Sequence, residues 1–389
     1  MLIKKNRNTI LSLMMLLCST QSNAWFTDWL FTKTQKDSTV EIHVSTGAIV
    51  ASALIITAGI LGWKFYNKFN FTCSYGANNS YNNNHVTSYN NRPVTKEETY
   101  TKPLNNNGAL VFNNPSGNLT VIAWDKEILD IKATKRAGTK EDLDAIKIEL
   151  ESTPERATVR TILPERRQSS YFCQSYTSPS VDYTIQAPRG AHLNIHQDAG
   201  NFESRGVTGN ISAFLSSGNG TIKEGSNVTV QTEHGSVFTE DTRGPLKATT
   251  QSGSITSRRS QGDVNAETSS GKVTIEDVEG KAKAKSASGG INITNAHSAE
   301  ATTQFGSITL KHLRENAKAE TTSGDITMEG VGGRATARAN GAGSVTVTRA
   351  QSVDATANVG NVTVRGVAKN RVEAQTQVGF VTIDGKRQR

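Results

Sequence analysis

A glycine returns down the C-terminal half of this chain at a nearly constant interval. It follows a Ser/Thr-rich stretch and usually stands two residues before an Ile or Val. The copies are Gly218, Gly235, Gly253, Gly271, Gly289, Gly306, Gly324, Gly343, Gly360 and Gly379. The steps between them are 17, 18, 18, 18, 17, 18, 19, 17 and 19 residues, and Gly200 precedes the first by 18. Such self-similarity marks an architecture of stacked short units, each leaning on its neighbours.

Each unit holds two strand-like pieces. After the glycine, large apolar residues alternate with polar ones: Val273 and Ile275, Ile308 and Leu310, Ile326 and Met328, Val345 and Val347, Val362 and Val364, Val381 and Ile383. A period of two turns one face of a strand inward. The second piece alternates with small residues: Ala282 and Ala284, Ala299 and Ala301, Ala317 and Ala319, Ala335 and Ala337, Ala355 and Ala357. Its outward positions are polar, as at Lys281, Lys283 and Lys285. Large residues facing alanine fill a narrow interior without voids. The glycines fit corners that require φ > 0, and the preceding Ser and Thr, as in Thr321-Thr322-Ser323, can bond backbone groups there.

A lone unit cannot stand. Ordering its backbone costs roughly 1–2 kcal/mol per residue, against roughly 1.5–3 kcal/mol for each full-sized apolar side chain buried. Stacked neighbours must supply the rest. The expectation is an all-β parallel β-solenoid of about ten rungs of roughly 18 residues, on the order of 50 Å long at the strand spacing. It occupies 197–389, with a β-rich N-terminal cap over 109–196. The cap shows strand patterns at Leu119–Trp124, Ala157–Ile162 and Val181–Gln186, and a short helix opening at Thr139, with Asp142 three residues on. The basic end Gly385-Lys386-Arg387-Gln388-Arg389 would discourage edge-to-edge stacking.

The composition suits this thin core, with aromatics only 6%. The net charge is +8, but Lys and Arg are spread along the chain rather than gathered in one block. Nucleic acid is therefore not an expected partner.

The first third reads differently. Basic residues, the apolar run Ile10–Leu17 and Ser22-Asn23-Ala24 make 1–24 a signal-peptide-like segment. A short polar segment, 25–46, follows. Gly47–Trp63 is uncharged, lacks proline and sits near the lower length limit for a transmembrane helix. Trp63, Phe65 and Tyr66 with Lys64 and Lys68 supply an interfacial flank. Residues 64–108 read as an Asn-rich flexible linker. Cleavage of 1–24 would leave the solenoid cytoplasmic, as the lysines suit. Retention of Gly47–Trp63 with its N-terminus inside would turn the solenoid outward, the side its composition favours. Cys73 and Cys173 could pair as a disulfide in an exported chain or stay as two thiols.

From Gly117 the chain resembles a bacterial adhesin-like family of unknown function, the toast-rack β-solenoids. The resemblance rests on Ser116-Gly117-Asn118-Leu119-Thr120-Val121 with Trp124-Asp125, on Tyr183-Thr184-Ile185-Gln186-Ala187-Pro188, on Gly206-Val207-Thr208-Gly209 and on the repeated Gly-x-Ile/Val-Thr turns. It covers roughly Ala109 to Ile383. It implies the solenoid fold and an envelope-associated, non-catalytic domain with no catalytic residues to carry over.

No catalytic, cofactor-binding or metal constellation stands out. His192-x-Asn194-x-His196 would share one strand face but lacks a further strong ligand. Asp241, Asp263, Asp277 and Asp325 recur at what read as different places in the repeat, so they suit turns and solvated faces. A polysaccharide-acting β-helix enzyme would need paired carboxylates on one face. Sugar platforms usually need aromatics, and no Trp or Tyr follows Tyr183. Threonine rows could suit ice, but Lys and Glu interrupt them. The expected function is a membrane-anchored envelope protein, adhesin or interaction scaffold, with an envelope or surface protein as partner. A polysaccharide-acting enzyme and an envelope-stress sensor are the alternatives.

Overall fold

The computed structural model describes residues 93–164 and 178–388, together with strands β1 (Phe31–Lys36) and β2 (Thr39–Val44). Segment 1–24, Gly47–Trp63, Cys73 and Cys173 lie outside the described residues. β1 and β2 pair antiparallel from Phe31↔Val44 to Lys36↔Thr39. Thr, Val, Ile and Phe give this pair the β-branched and aromatic content that strands favour.

The stretch read as a flexible linker ends in structure. β3 (Val94–Pro103) pairs antiparallel with β6 (Ile128–Ala137), from Val94↔Ala137 to Pro103↔Ile128. Its polar sequence finds partners there. Glu97 meets Lys132 at 3.0 Å and Glu98 meets Lys135 at 2.8 Å. Lys135 is buried, and its ammonium also donates to the Ile146 carbonyl at 3.1 Å. Tyr100 donates to Glu98 at 2.5 Å. Helix α1 (Lys140–Ala145) opens at Thr139, whose hydroxyl accepts from the Asp142 backbone N–H at 3.1 Å.

The coil starts earlier than the boundary at 197. β4 (Ala109–Ser116) and β5 (Leu119–Trp124) already form a turn around Gly117. On one side they pair in parallel with β8 (Arg156–Ile162) and β9 (Ser180–Pro188). On the other they pair with β10 (His192–Ala199) and β11 (Phe202–Arg205). Residues 109–124 are thus inserted between later parts of the chain. β7 (Lys147–Ser152) lies outside β8, antiparallel to it.

From Gly200 onward eleven glycine corners mark the turns, one more than the ten first counted. Each turn pairs with the next in parallel, running Val273↔Ile291↔Ile308↔Ile326↔Val345↔Val362↔Val381 along one sheet. Ala284↔Ala301↔Ala319↔Ala337↔Ala355 runs along the other. All five of these alanines are fully buried, as are Ile275, Ile293, Leu310, Met328 and Val347. The interior is therefore the narrow large-against-small seam that the alternation predicts. Nearer the cap the balance reverses. Gly220 replaces the large residue, and Leu215 lies 3.4 Å from where its Cβ would be.

Candidate interaction surfaces

The ten predicted glycines share one corner of the coil, and the reason is closer approach than a turn alone needs. Nine have φ between +140° and +154°. Gly343 does not adopt positive φ, which departs from the expectation, yet it is bound by the same constraint. At each of the ten, an added Cβ would strike the carbonyl oxygen of the glycine one turn earlier. The corner is a backbone-on-backbone column that extends back through Gly200 to Gly117.

Its polar groups are satisfied between turns. The Gly218 N–H donates to the His234 carbonyl at 2.8 Å, and Gly253 to Ser270 at 2.9 Å. Glycine carbonyls accept from buried hydroxyls of the following turn. Thr232 donates to Gly218 at 3.2 Å, Thr250 to Gly235 at 2.9 Å and Thr268 to Gly253 at 3.1 Å. Ser286, Thr303, Thr321 and Thr376 do the same for Gly271, Gly289, Gly306 and Gly360, so the Ser/Thr bias supplies the donor at most of these corners, while Leu215, Ala339 and Ala357 hold that place in other turns.

A second corner, not foreseen from the sequence, lies six residues after each glycine. Its members include Glu224, Asp241, Arg259, Asp277, Asn295, His312 and Arg349, at φ from +50° to +72°, alternating irregularly with Gly206, Gly330 and Gly366. Asp241 and Asp277 therefore hold the same place in the repeat, contrary to the first reading. Asp263 and Asp325 do lie elsewhere. Their carboxylates accept backbone N–H bonds from Lys281 and Ser344, each at 2.8 Å. Strain at non-glycine residues is offset by side chains reaching one turn back. Arg259 donates to both oxygens of Asp241 at 2.7 and 2.9 Å and also pairs with Glu240. These bonds hold the Asp241 carboxyl below its usual range, despite the opposing effect of burial.

The sheet faces carry stacked rows. Thr256, Thr274, Thr309, Thr327, Thr346 and Thr363 follow one another outward on the large-residue sheet, broken by Asn292. Glu203 interrupts the same row earlier, between Thr120 and Thr221, as Lys247 follows Thr229 on the alanine sheet, and charged residues also stand in the adjacent row. There Arg258 meets Glu276 at 3.0 Å and Lys311 meets Glu329 at 3.4 Å. On the alanine sheet, Lys281 and Lys283 share Glu300 at 3.0 and 3.7 Å. A shallow depression of about 390 Å³ lies there beside Lys247 and Asn265.

His192, Asn194 and His196 do share an outward face, but not as a ligand set. His192 Nδ1 accepts from the Asn210 N–H at 3.1 Å, and His196 stacks on Phe214 with centroids 5.1 Å apart. Among the described residues no group of three His, Cys, Asp or Glu side chains is placed to hold a metal ion. Among them, too, no helix is long and apolar enough to cross a membrane.

The two ends of the coil differ. At the last turn, Val372, Ala374, Thr376, Val381 and Ile383 occupy interior positions but are only partly buried. Val359, Val378 and Phe380 are exposed here, and so is Phe305 in mid-coil, which like Val359 and Val378 precedes a glycine of the column. Lys386–Arg387 folds back antiparallel on Val381–Ile383, and Arg387 lies 3.2 Å over the Phe380 ring. The basic end thus covers one sheet edge, while the outer side of Val372–Val378 pairs with no strand among the described residues.

A family model described as Toastrack DUF4097 matches residues 108–340. Three solved structures are similar in part. A candidate cell adhesion protein from Clostridium sporogenes is 10% identical, covering 67% of this chain and 100% of its own at a TM-score of 0.23. A candidate lipid-binding protein from Parabacteroides distasonis is 11% identical, covering 74% and 94% at 0.25. A candidate adhesin from the same species is 13% identical, covering 74% and 96% at 0.26. No curated protein matches.

Proposed function

The chain belongs to the Toastrack DUF4097 family, and from that premise we propose that it is a non-catalytic interaction scaffold of the cell envelope, a stiff rod that presents repeated outward rows to a protein partner. The observation that carries this reading is the unbroken glycine column from Gly117 to Gly379. Backbone stacked on backbone at every turn leaves no hinge along the coil. Outward residues are then held at the strand spacing of roughly 4.8 Å over about 50 Å. A rod of fixed pitch gains binding strength by repetition rather than from one deep pocket.

In this proposal Gly47–Trp63 holds the rod at a membrane, and the partner is an envelope or surface protein. The uncharged apolar run and its aromatic, lysine-bearing flank support the anchor. Cross-linking in intact cells followed by membrane fractionation tests both parts. The chain is expected in the membrane fraction, joined to an envelope protein. Recovery in the soluble fraction, or a rod with no cross-linked protein at any salt concentration, would overturn the reading.

A further inference from the structure

We propose that strand Val372–Val378 is a strand-accepting edge, and that its occupant is an extended acidic segment of another protein. This rests on reading the rod as an interaction scaffold and names the chemistry of its partner.

The edge has unused backbone groups. Gly360 N–H donates to the Val378 carbonyl, and Val372, Ala374, Thr376 and Val378 pair with the preceding turn at Val353, Ala355, Ala357 and Val359. In a parallel ladder successive residues point their N–H and C=O to opposite sides. Those of Glu373, Gln375 and Gln377 therefore face away from the coil, and no strand pairs with them there among the described residues. The half-buried Val372, Ala374 and Thr376 need the cover that every earlier turn receives.

The edge is also unguarded. Folded proteins protect free edges with charge, proline or a covering element. The opposite end does so. β3 carries Lys96, Glu97, Glu98, Lys102 and Pro103, and β7 carries Lys147, Glu149 and Glu151. Val372–Val378 has Glu373 alone.

Charge selects the occupant. Over residues 365–388 five basic residues stand against two acidic ones. Along the coil many Lys and Arg meet carboxylates of a neighbouring turn, as at Arg258, Lys281, Lys311 and Arg334, while others, such as Lys247 and Lys285, stand without one among the described residues. Here Arg365, Arg371, Lys386 and Arg387 have no ion-pair partner among the described residues. Asp384 is already occupied, accepting from the Gly366 N–H at 2.7 Å. A second copy would bring the same excess of positive charge against itself. An acidic strand is attracted to it and completes the ladder by addition at the edge.

The test uses the full chain and fluorescein-labelled nine-residue peptides that alternate glutamate, or lysine, with valine and threonine. Anisotropy should report binding of the glutamate peptide, at least fivefold weaker at 500 mM than at 50 mM salt, and none of the lysine peptide. Gln375→Pro removes an outward N–H without breaking a bond to the preceding turn, so it should abolish binding with the melting temperature unchanged. Arg371→Glu, which leaves the backbone alone, should weaken binding at least fivefold even if the proline variant folds poorly. Failure of the glutamate peptide to bind, equal binding of both peptides, or binding that survives both substitutions would overturn the proposal. So would a Gln375→Cys variant that cross-links to itself in high yield, since a second copy would then be the occupant. None of these outcomes touches the rod's role as a scaffold, which cellular cross-linking tests separately.

Discussion

Gly253 lies directly on Gly235, one turn earlier, with its α-carbon so near that carbonyl oxygen that no Cβ could stand between them. Its φ of +153° is one that side chains rarely adopt. Two independent constraints, on conformation and on space, thus fall on one residue, and the same pair recurs along the column.

Gly253→Ala should therefore destabilise far more than a surface substitution. The methyl group must push two turns apart and also disturb the bond that the struck Gly235 carbonyl accepts from the Thr250 hydroxyl. A loss on the order of 3–5 kcal/mol is expected, the range of core disruptions with a defined cause. Gly343→Ala separates the two constraints, because Gly343 meets the Gly324 carbonyl without positive φ. It should also be strongly destabilising. Chemical denaturation of both variants reads this directly, and a Gly343→Ala loss under about 1 kcal/mol would mean that conformation, not close approach, selects glycine here.

Ala319 is fully buried between Ala301 and Ala337 in the alanine column. Ala319→Leu places three more heavy atoms in a seam one methyl wide, with neighbours above and below that cannot recede. The expected loss is about 3 kcal/mol, at the upper end of overpacking effects. Lys318→Ala, one position away and outward, should change stability by no more than about 0.5 kcal/mol. Equal effects at the two positions, read from thermal melts, would place the alanines wrongly.

At the second corner His312 holds φ +53° on an exposed site, and its equivalents Gly330 and Gly206 are glycine. Left-handed backbone costs a non-glycine residue roughly 1–2 kcal/mol, and glycine returns roughly 0.4–1 kcal/mol of that through the freedom of the unfolded chain. His312→Gly should raise the melting temperature slightly. A lower melting temperature would show that the imidazole makes a contact worth more than the strain.

How much of this was legible in the sequence follows from the range of each interaction. The Ile/Val and Ala alternations, the glycine column and the Thr139 cap each leave a local pattern that the structure carries, with Gly343 alone among the ten glycines departing from the expected positive φ. The second corner was missed because its residue type varies from Gly to Arg, although its fixed offset from each glycine was there to count. β3 reads as linker in the sequence because its partners Lys132 and Lys135 lie more than thirty residues away. The insertion of 109–124 between later strands has no local signature at all.

The pair of half-buried Glu98 and buried Lys135 in the cap makes stability depend on acid in a defined way. Burial opposes ionisation of Glu98, but hydrogen bonds from Lys135, Tyr100 and Lys96 outweigh it and hold its carboxyl at about 2. A carboxyl whose pKa is depressed in the folded state adds stability above its unfolded value and loses it as pH falls toward the folded one. The window here runs from about 4.5 down to about 2. Within it the contribution, screened by solvent at this partly exposed carboxylate to about 1 kcal/mol, should vanish. Glu98→Gln removes the titrating group and leaves Lys135 buried without its counter-charge, so it should destabilise the protein by about 1–2 kcal/mol between pH 6 and 8. The gap between parent and variant should narrow steadily below pH 4.5. Urea melts of both proteins across that range check the sign. A gap that stays constant to pH 2.5 would mean that Glu98 is not held ionised by its partners, and that β3 is fastened to β6 by its backbone ladder alone.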